Sequence, residues 1–86
     1  MKNTELVYFQ NTHFEEYSAN KEDDALANIC IDGYPFDDNA EGKVIARVWI
    51  TKHKYIVVDW HCNEYRMNDT VLKLIEDSKR KLIERF

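Results

Sequence analysis

Residues 43–62 read KVIARVWITKHKYIVVDWHC, and how the two halves of this stretch pair decides the fold. Lys43 to Thr51 and Tyr55 to Cys62 are rich in β-branched and aromatic residues, the composition of strands. Thr51-Lys52-His53-Lys54 between them has the length of a tight turn, without the Asn-Gly that would fix its type. A two-residue or four-residue loop centred on Lys52 and His53 gives the same register. Ile50 then faces Tyr55, Trp49 faces Ile56, Arg47 faces Val58, and Ile45 faces Trp60. Alternation sorts this hairpin into two faces. One carries Val44, Ala46, Val48, Ile50, Tyr55 and Val57, with Asp59 and His61 towards one end. The other carries Ile45, Arg47, Trp49, Ile56, Val58 and Trp60. Both faces are apolar enough to be covered.

Downstream, residues 69–86 have helical spacing. Val71, Leu74, Ile75, Leu82 and Phe86 form an apolar stripe, Ser78 completes it, and Leu72 and Ile83 widen it. Asn68 is a good N-cap, and Met67 and Leu72 occupy the positions of a hydrophobic staple. Glu76–Arg80 and Asp77–Lys81 have the spacing of i,i+4 ion pairs. Upstream, LVYF at residues 6–9 starts a strand within residues 5–14. Ala25, Ala27, Ile29 and Ile31 alternate with Leu26, Asn28 and Cys30 in a second. Residues 18–24 are polar and acidic, a loop or one or two helical turns. Both glycines and the one proline fall within residues 33–42. The strong loop signal is therefore Asp32 to Gly42, longer than most connections. The order is β-β-β-β-α: an α+β fold with a small, mostly antiparallel sheet of about four strands. The C-terminal amphipathic helix packs on one face, and the Val44/Val48/Val57 face is its expected partner.

With 86 residues, 44% hydrophobic and 33% charged, the chain has the composition of one small globular domain. It contains no internal repeat, no low-complexity stretch, and no apolar run near the roughly 20 residues of a membrane helix. The apolar run after Glu5 is too short for a signal-peptide core. A cytoplasmic protein is expected, and with it two buried thiols, Cys30 and Cys62, rather than a disulfide.

Charge is divided unevenly. Residues 1–42 hold ten acidic and two basic side chains, and residues 43–86 hold six and ten, so the halves carry −8 and +4 and sum to −4. Such asymmetry marks an acidic tail or an interaction surface. The acidic half is rich in aromatic and aliphatic residues, which argues against a simple tail.

No motif for catalysis or metal binding outweighs its plainer reading. His61 and Cys62 are adjacent, and neighbours on a strand point to opposite faces. They can neither share a zinc site nor form a nucleophile–base pair. Asp32, Asp37, Asp38, Asn39 and Glu41 offer oxygens on a glycine-containing loop, without the spacing of an EF-hand. Asp37 followed by Glu41-Gly42-Lys43 loosely resembles the Asp…Glu-x-Lys pattern of restriction-type nucleases. In that pattern the acids come from neighbouring strands, and here they share a loop. No catalytic residue, metal or cofactor is expected.

Two surfaces stand out. Asp23, Asp24, Asp37, Asp38 and Glu41, with Tyr34 and Phe36 as anchors, could line one acidic edge. That edge would dock onto a basic, nucleic-acid-binding site of another protein. The alternative is a nucleic-acid-binding module, with Arg47, Trp49, Lys52, Lys54 and Trp60 as a basic stacking platform beside the helix. A further alternative is a homodimer through the Trp49/Trp60 face. In size and acidity the chain resembles small proteins of phages and other mobile elements, some of which inhibit host nucleases. The likeness is compositional and covers no motif.

Overall fold

The computed structural model describes residues 6–16, 25–35 and 41–86. Four strands, β1 (Leu6–Glu16), β2 (Ala25–Pro35), β3 (Lys43–Thr51) and β4 (Ile56–Trp60), precede a 3-10 turn (Asn63–Tyr65) and one helix, α1 (Asp69–Arg85). The sheet is an antiparallel meander in the order β1-β2-β3-β4, with α1 packed on one face. This is the expected α+β architecture.

The core lies between that face and the helix. β2 contributes Ala27, Ile29 and Ile31, β3 contributes Ile45, Ala46, Val48 and Ile50, and α1 contributes Val71, Ile75 and Leu82. Ser78 completes the helix stripe at 0% exposure, because its hydroxyl donates to the Leu74 carbonyl at 2.7 Å, with Asn11 Oδ1 3.3 Å from the same hydroxyl oxygen. A buried hydroxyl is tolerated when it is bonded in this way. Asn68 caps the helix by accepting from Val71 N at 3.1 Å. Cys30 and Cys62 are both free and buried.

The β3–β4 register differs from expectation by one residue. Ile50 pairs with Ile56, Trp49 with Val57, Val48 with Val58, Arg47 with Asp59, and Ala46 with Trp60. The cause is the turn. Thr51 O accepts from Lys54 N at 2.9 Å, and Thr51 N donates to Tyr55 O at 2.9 Å. Lys54 sits at φ 69°. This is a three-residue loop: a tight turn over Lys52 and His53, then a left-handed residue that forms a bulge. An odd loop length shifts the register by one and turns β4 over. Ile56, Val58 and Trp60 therefore join the helix-side core, while Val57 and Asp59 share the outer face with Trp49 and Arg47.

Further bulges adjust individual side chains. Val7 and Thr12 are extra residues in β1, Leu26 in β2, and Ile45 in β3. The bulge turns Ile45 into the core beside Ala46, and its carbonyl accepts from both His61 N and Cys62 N. Leu26 likewise packs against the helix-side core rather than sharing the row of Asn28 and Cys30.

Three more expectations need correction. β2 runs on through Gly33 to Pro35, so Asp32 to Pro35 is strand and the connection begins at residue 36. Glycine at position 33 lets Leu6 and Phe9 pack closely over the strand, since a Cβ there would lie 2.9 Å from Leu6 Cδ1 and 3.0 Å from Phe9 Cε1. Proline is acceptable at the end of a strand. The staple does not form: Met67 is 87% exposed, and Leu72 and Ile83 are exposed too. Finally, the helix pairs its charges at i,i+3, Lys79 with Glu76 and Arg80 with Asp77. No helix of the described residues is long and apolar enough to cross a membrane.

Candidate functional site

The meander sets where the acidic segments attach. In a run of antiparallel strands, successive connections lie at opposite ends of the sheet. Residues 17–24 join β1 to β2 at one end, and residues 36–42 join β2 to β3 at the other. Their attachment points are separated by the length of β2, eleven residues, or about 33 Å at roughly 3.3 Å per residue. The strand end that follows Asp23 and Asp24 in the chain is thus opposite the strand ends that flank Asp37, Asp38 and Glu41. Asp23, Asp24, Phe36, Asp37 and Asp38 lie outside the described residues.

Tyr34 and Glu41 are described and lie at the same end. Tyr34 pairs across the sheet with Tyr8, and their rings are tilted with centroids 6.1 Å apart. Tyr8 is 56% exposed and neighbouring Val7 is 50% exposed. The Tyr8 hydroxyl donates to Gln10 Oε1 at 2.9 Å. The Tyr34 ring lies against Gly42, where a Cβ would fall 2.3 Å from Tyr34 Cε1. Position 42 must be glycine for the ring to rest there. Glu41 is exposed, as are Glu64 in the 3-10 turn and Asp69 at the start of α1, which the topology brings to this end. Among the described residues Lys43 and Arg66 are bases of the same region, and the Arg66 guanidinium lies over the Trp60 ring at 5.7 Å.

Sequence reasoning counted residues 6–9 only as strand and missed Tyr8 and Val7 as surface. The signal was present. Four successive apolar residues on a strand cannot all face one core, because successive side chains alternate.

The residues of the proposed basic platform are dispersed. Trp60 is half-buried on the helix side of the sheet, whereas Trp49 is half-buried on the outer face. The two tryptophans therefore form neither one stacking platform nor one dimer face. Arg47 is exposed on the outer face opposite Asp59. Lys52 and Lys54 are exposed in the turn, with Lys54 Nζ 5.9 Å from the Phe86 ring centroid.

On the outer face, Asn28 is buried and Asp32 is half-buried. Asp32 accepts from Thr12 Oγ1 at 2.8 Å and from Cys30 Sγ at 3.2 Å. Burial first, and then the hydrogen bond to Asp32 and the charge of its carboxylate, push the Cys30 thiol up from 9.0 to about 11, with Arg47 opposing the shift. The thiol is thus protonated at neutral pH and is a hydrogen-bond donor rather than a nucleophile. Asp32 is held on a strand, away from the loop oxygens with which the sequence groups it. His61 is exposed beside Asp59 at 3.2 Å, while Cys62 is buried and donates to the Val44 carbonyl at 3.5 Å. No three His, Cys, Asp or Glu side chains converge as metal ligands among the described residues. Comparison with protein-family models, with curated protein sequences and with solved structures finds no match to this chain.

Proposed function

We propose that this chain is a non-enzymatic binding protein. It docks the Tyr8/Tyr34 end of its sheet onto a basic site of another protein and blocks it, as an inhibitor of a nucleic-acid-binding partner would. The observation that carries this reading is the Tyr8–Tyr34 pair, with Tyr8 exposed and Tyr34 half-buried, beside exposed Val7 at the root of the acidic connection that contains Glu41. Aromatic side chains supply contact area at low entropic cost and are favoured at interface centres. Asp37, Asp38, Glu41, Glu64 and Asp69 supply negative charge around them, against Lys43 and Arg66. Such an excess steers the chain towards a basic surface and sets its orientation. Asp23 and Asp24 attach at the far end and are not part of this contact. A nucleic-acid role through Arg47, Trp49, Lys52, Lys54 and Trp60 draws less support, because its aromatic residues lie on opposite faces.

The test is a pull-down with tagged protein at about 0.1 M salt, where charge effects remain visible, with and without nuclease. It is repeated with Asp37→Lys/Asp38→Lys and with Gly42→Ala, whose added methyl displaces the Tyr34 ring. A stoichiometric protein partner that survives nuclease and is lost with both variants, at unchanged circular dichroism, is expected. Binding that persists in both variants, or capture of nucleic acid alone, would overturn the reading.

A further inference from the structure

At the end of the molecule opposite the tyrosines, β1 and the last turns of α1 leave an open cavity of about 630 Å³ between them. Its lining includes Asn11, Phe14, Ile29, Lys81, Glu84 and Arg85. That volume lies within the roughly 300–1,000 Å³ typical of small-molecule sites. Ile29, 4% exposed, supplies apolar surface from the core, and Phe14, 39% exposed, supplies a ring. Arg85 closes one side. Its guanidinium lies over the Phe14 ring at 4.7 Å, and its Nε and Nη2 donate to Glu16 Oε1 at 2.9 and 2.6 Å.

Two donors at this cavity lack partners among the described residues. Asn11 Oδ1 lies 3.3 Å from Ser78 Oγ, which turns the amide N–H₂ away from the helix, without a partner among the described residues. Lys81 is expected to pair with Asp77, but Asp77 is taken by Arg80 at 2.5 Å, and Lys81 makes no ion pair among the described residues. An ammonium and an amide N–H₂ beside an apolar surface recognise an acceptor that is charged at one end and apolar at the other. Amines are disfavoured, since the lining sets two cations, Lys81 and Arg85, against the single carboxylate of Glu84. Dianions are disfavoured as well, because Glu84 and Glu16 carry negative charge at the rim.

We infer that this cavity is a binding site for a small monocarboxylate with an apolar tail. The carboxylate meets Lys81 and the Asn11 amide, and the tail lies on Ile29 and Phe14. Arg85, already held by Glu16, shapes the wall rather than supplying the charge. The site is independent of the docking end proposed above, and the loss of either leaves the other standing.

The test is a titration of the isotope-labelled full chain with sodium hydrocinnamate, followed by proton–nitrogen correlation NMR. Its neutral amide serves as the ligand control, and Lys81→Gln, an exposed substitution that leaves the core untouched, as the protein control. Saturable shifts confined to the neighbourhood of Asn11, Phe14, Ile29 and residues 81–85 are expected. Both the amide and Lys81→Gln should weaken binding by about tenfold or more, the scale of one charged contact. Absence of saturation, shifts centred elsewhere, or equal binding by acid and amide would overturn the inference. So would undiminished binding in Lys81→Gln.

Discussion

Raising the pH from 8 to 11 should destabilise this protein in a way that depends on one thiol. Cys30 is buried with Asp32 beside it, and its pKa rises from 9.0 to about 11 on folding. The folded state therefore holds a proton that the unfolded state releases between those values. Stability falls with pH wherever the folded state binds more protons. The Cys30 contribution is thus complete below pH 9, declines as pH rises through the folded pKa near 11, and levels off above it. Each tenfold difference in affinity corresponds to about 1.36 kcal/mol, so the full loss is about 2.7 kcal/mol. An 86-residue domain has a total stability of roughly 4–13 kcal/mol, so this is a large share. With a urea dependence of about 1.5 kcal/mol per molar, the midpoint moves down by about 2 M across the range.

Tyrosines and lysines titrate in the same range, so the measurement is a difference. Urea unfolding is followed at several pH values for the wild type and for Cys30→Ala. The variant has a lower baseline because a buried group is removed, but it lacks the steep alkaline term. The gap between the two curves should close by about 2–3 kcal/mol between pH 8 and 11. Parallel curves would mean that Cys30 titrates normally, and would refute the account of a buried thiol bonded to Asp32.

Leu82→Ala empties a fully buried site beneath the sheet and should cost about 2–5 kcal/mol by chemical denaturation. A loss under about 1 kcal/mol would mean that the helix C-terminus is only loosely docked. Asn68→Ala removes the side chain that caps Val71 N and should cost about 1 kcal/mol. Met67→Ser, one residue earlier, should change stability by no more than about 0.5 kcal/mol, because Met67 packs against little. Equal costs for the two would restore the staple that the structure lacks.

The strand order, the helix and its capping residue were legible because each rests on local pattern: alternation, helical spacing, and an asparagine ahead of an apolar run. Register was not, because it hinged on one residue of loop length. Nothing in Thr51-Lys52-His53-Lys54 announces that Lys54 adopts φ 69°, a conformation that glycine or asparagine usually signals. That single residue decided which face Trp60 and Val57 occupy. Bulges at Leu26 and Ile45 were hidden for the same reason, since alternation on paper assumes an unbroken ladder. Gly33 and Pro35 read as loop, although one sits where Phe9 and Leu6 pack closely over the strand and the other ends a strand. The separation of the two acidic segments could have been read from the proposed strand order alone, because a meander alternates its connections. Exposure of Tyr8 beside Tyr34 was harder to see, for it required the β1–β2 pairing.

The bulges at Val7 and Thr12 also bear on how the chain behaves when crowded. Strand β1 lies at the border of the described sheet, where an unbroken ladder would invite a neighbouring copy to add on. Each extra residue twists the strand and interrupts its regular row of hydrogen-bonding groups. A second chain laid alongside would lose its match at position 7 and again at position 12. At the other border, β4 is only five residues long and turns the charged Asp59 outward. Neither border of the described sheet therefore offers a long, unbroken strand as a template for a second copy.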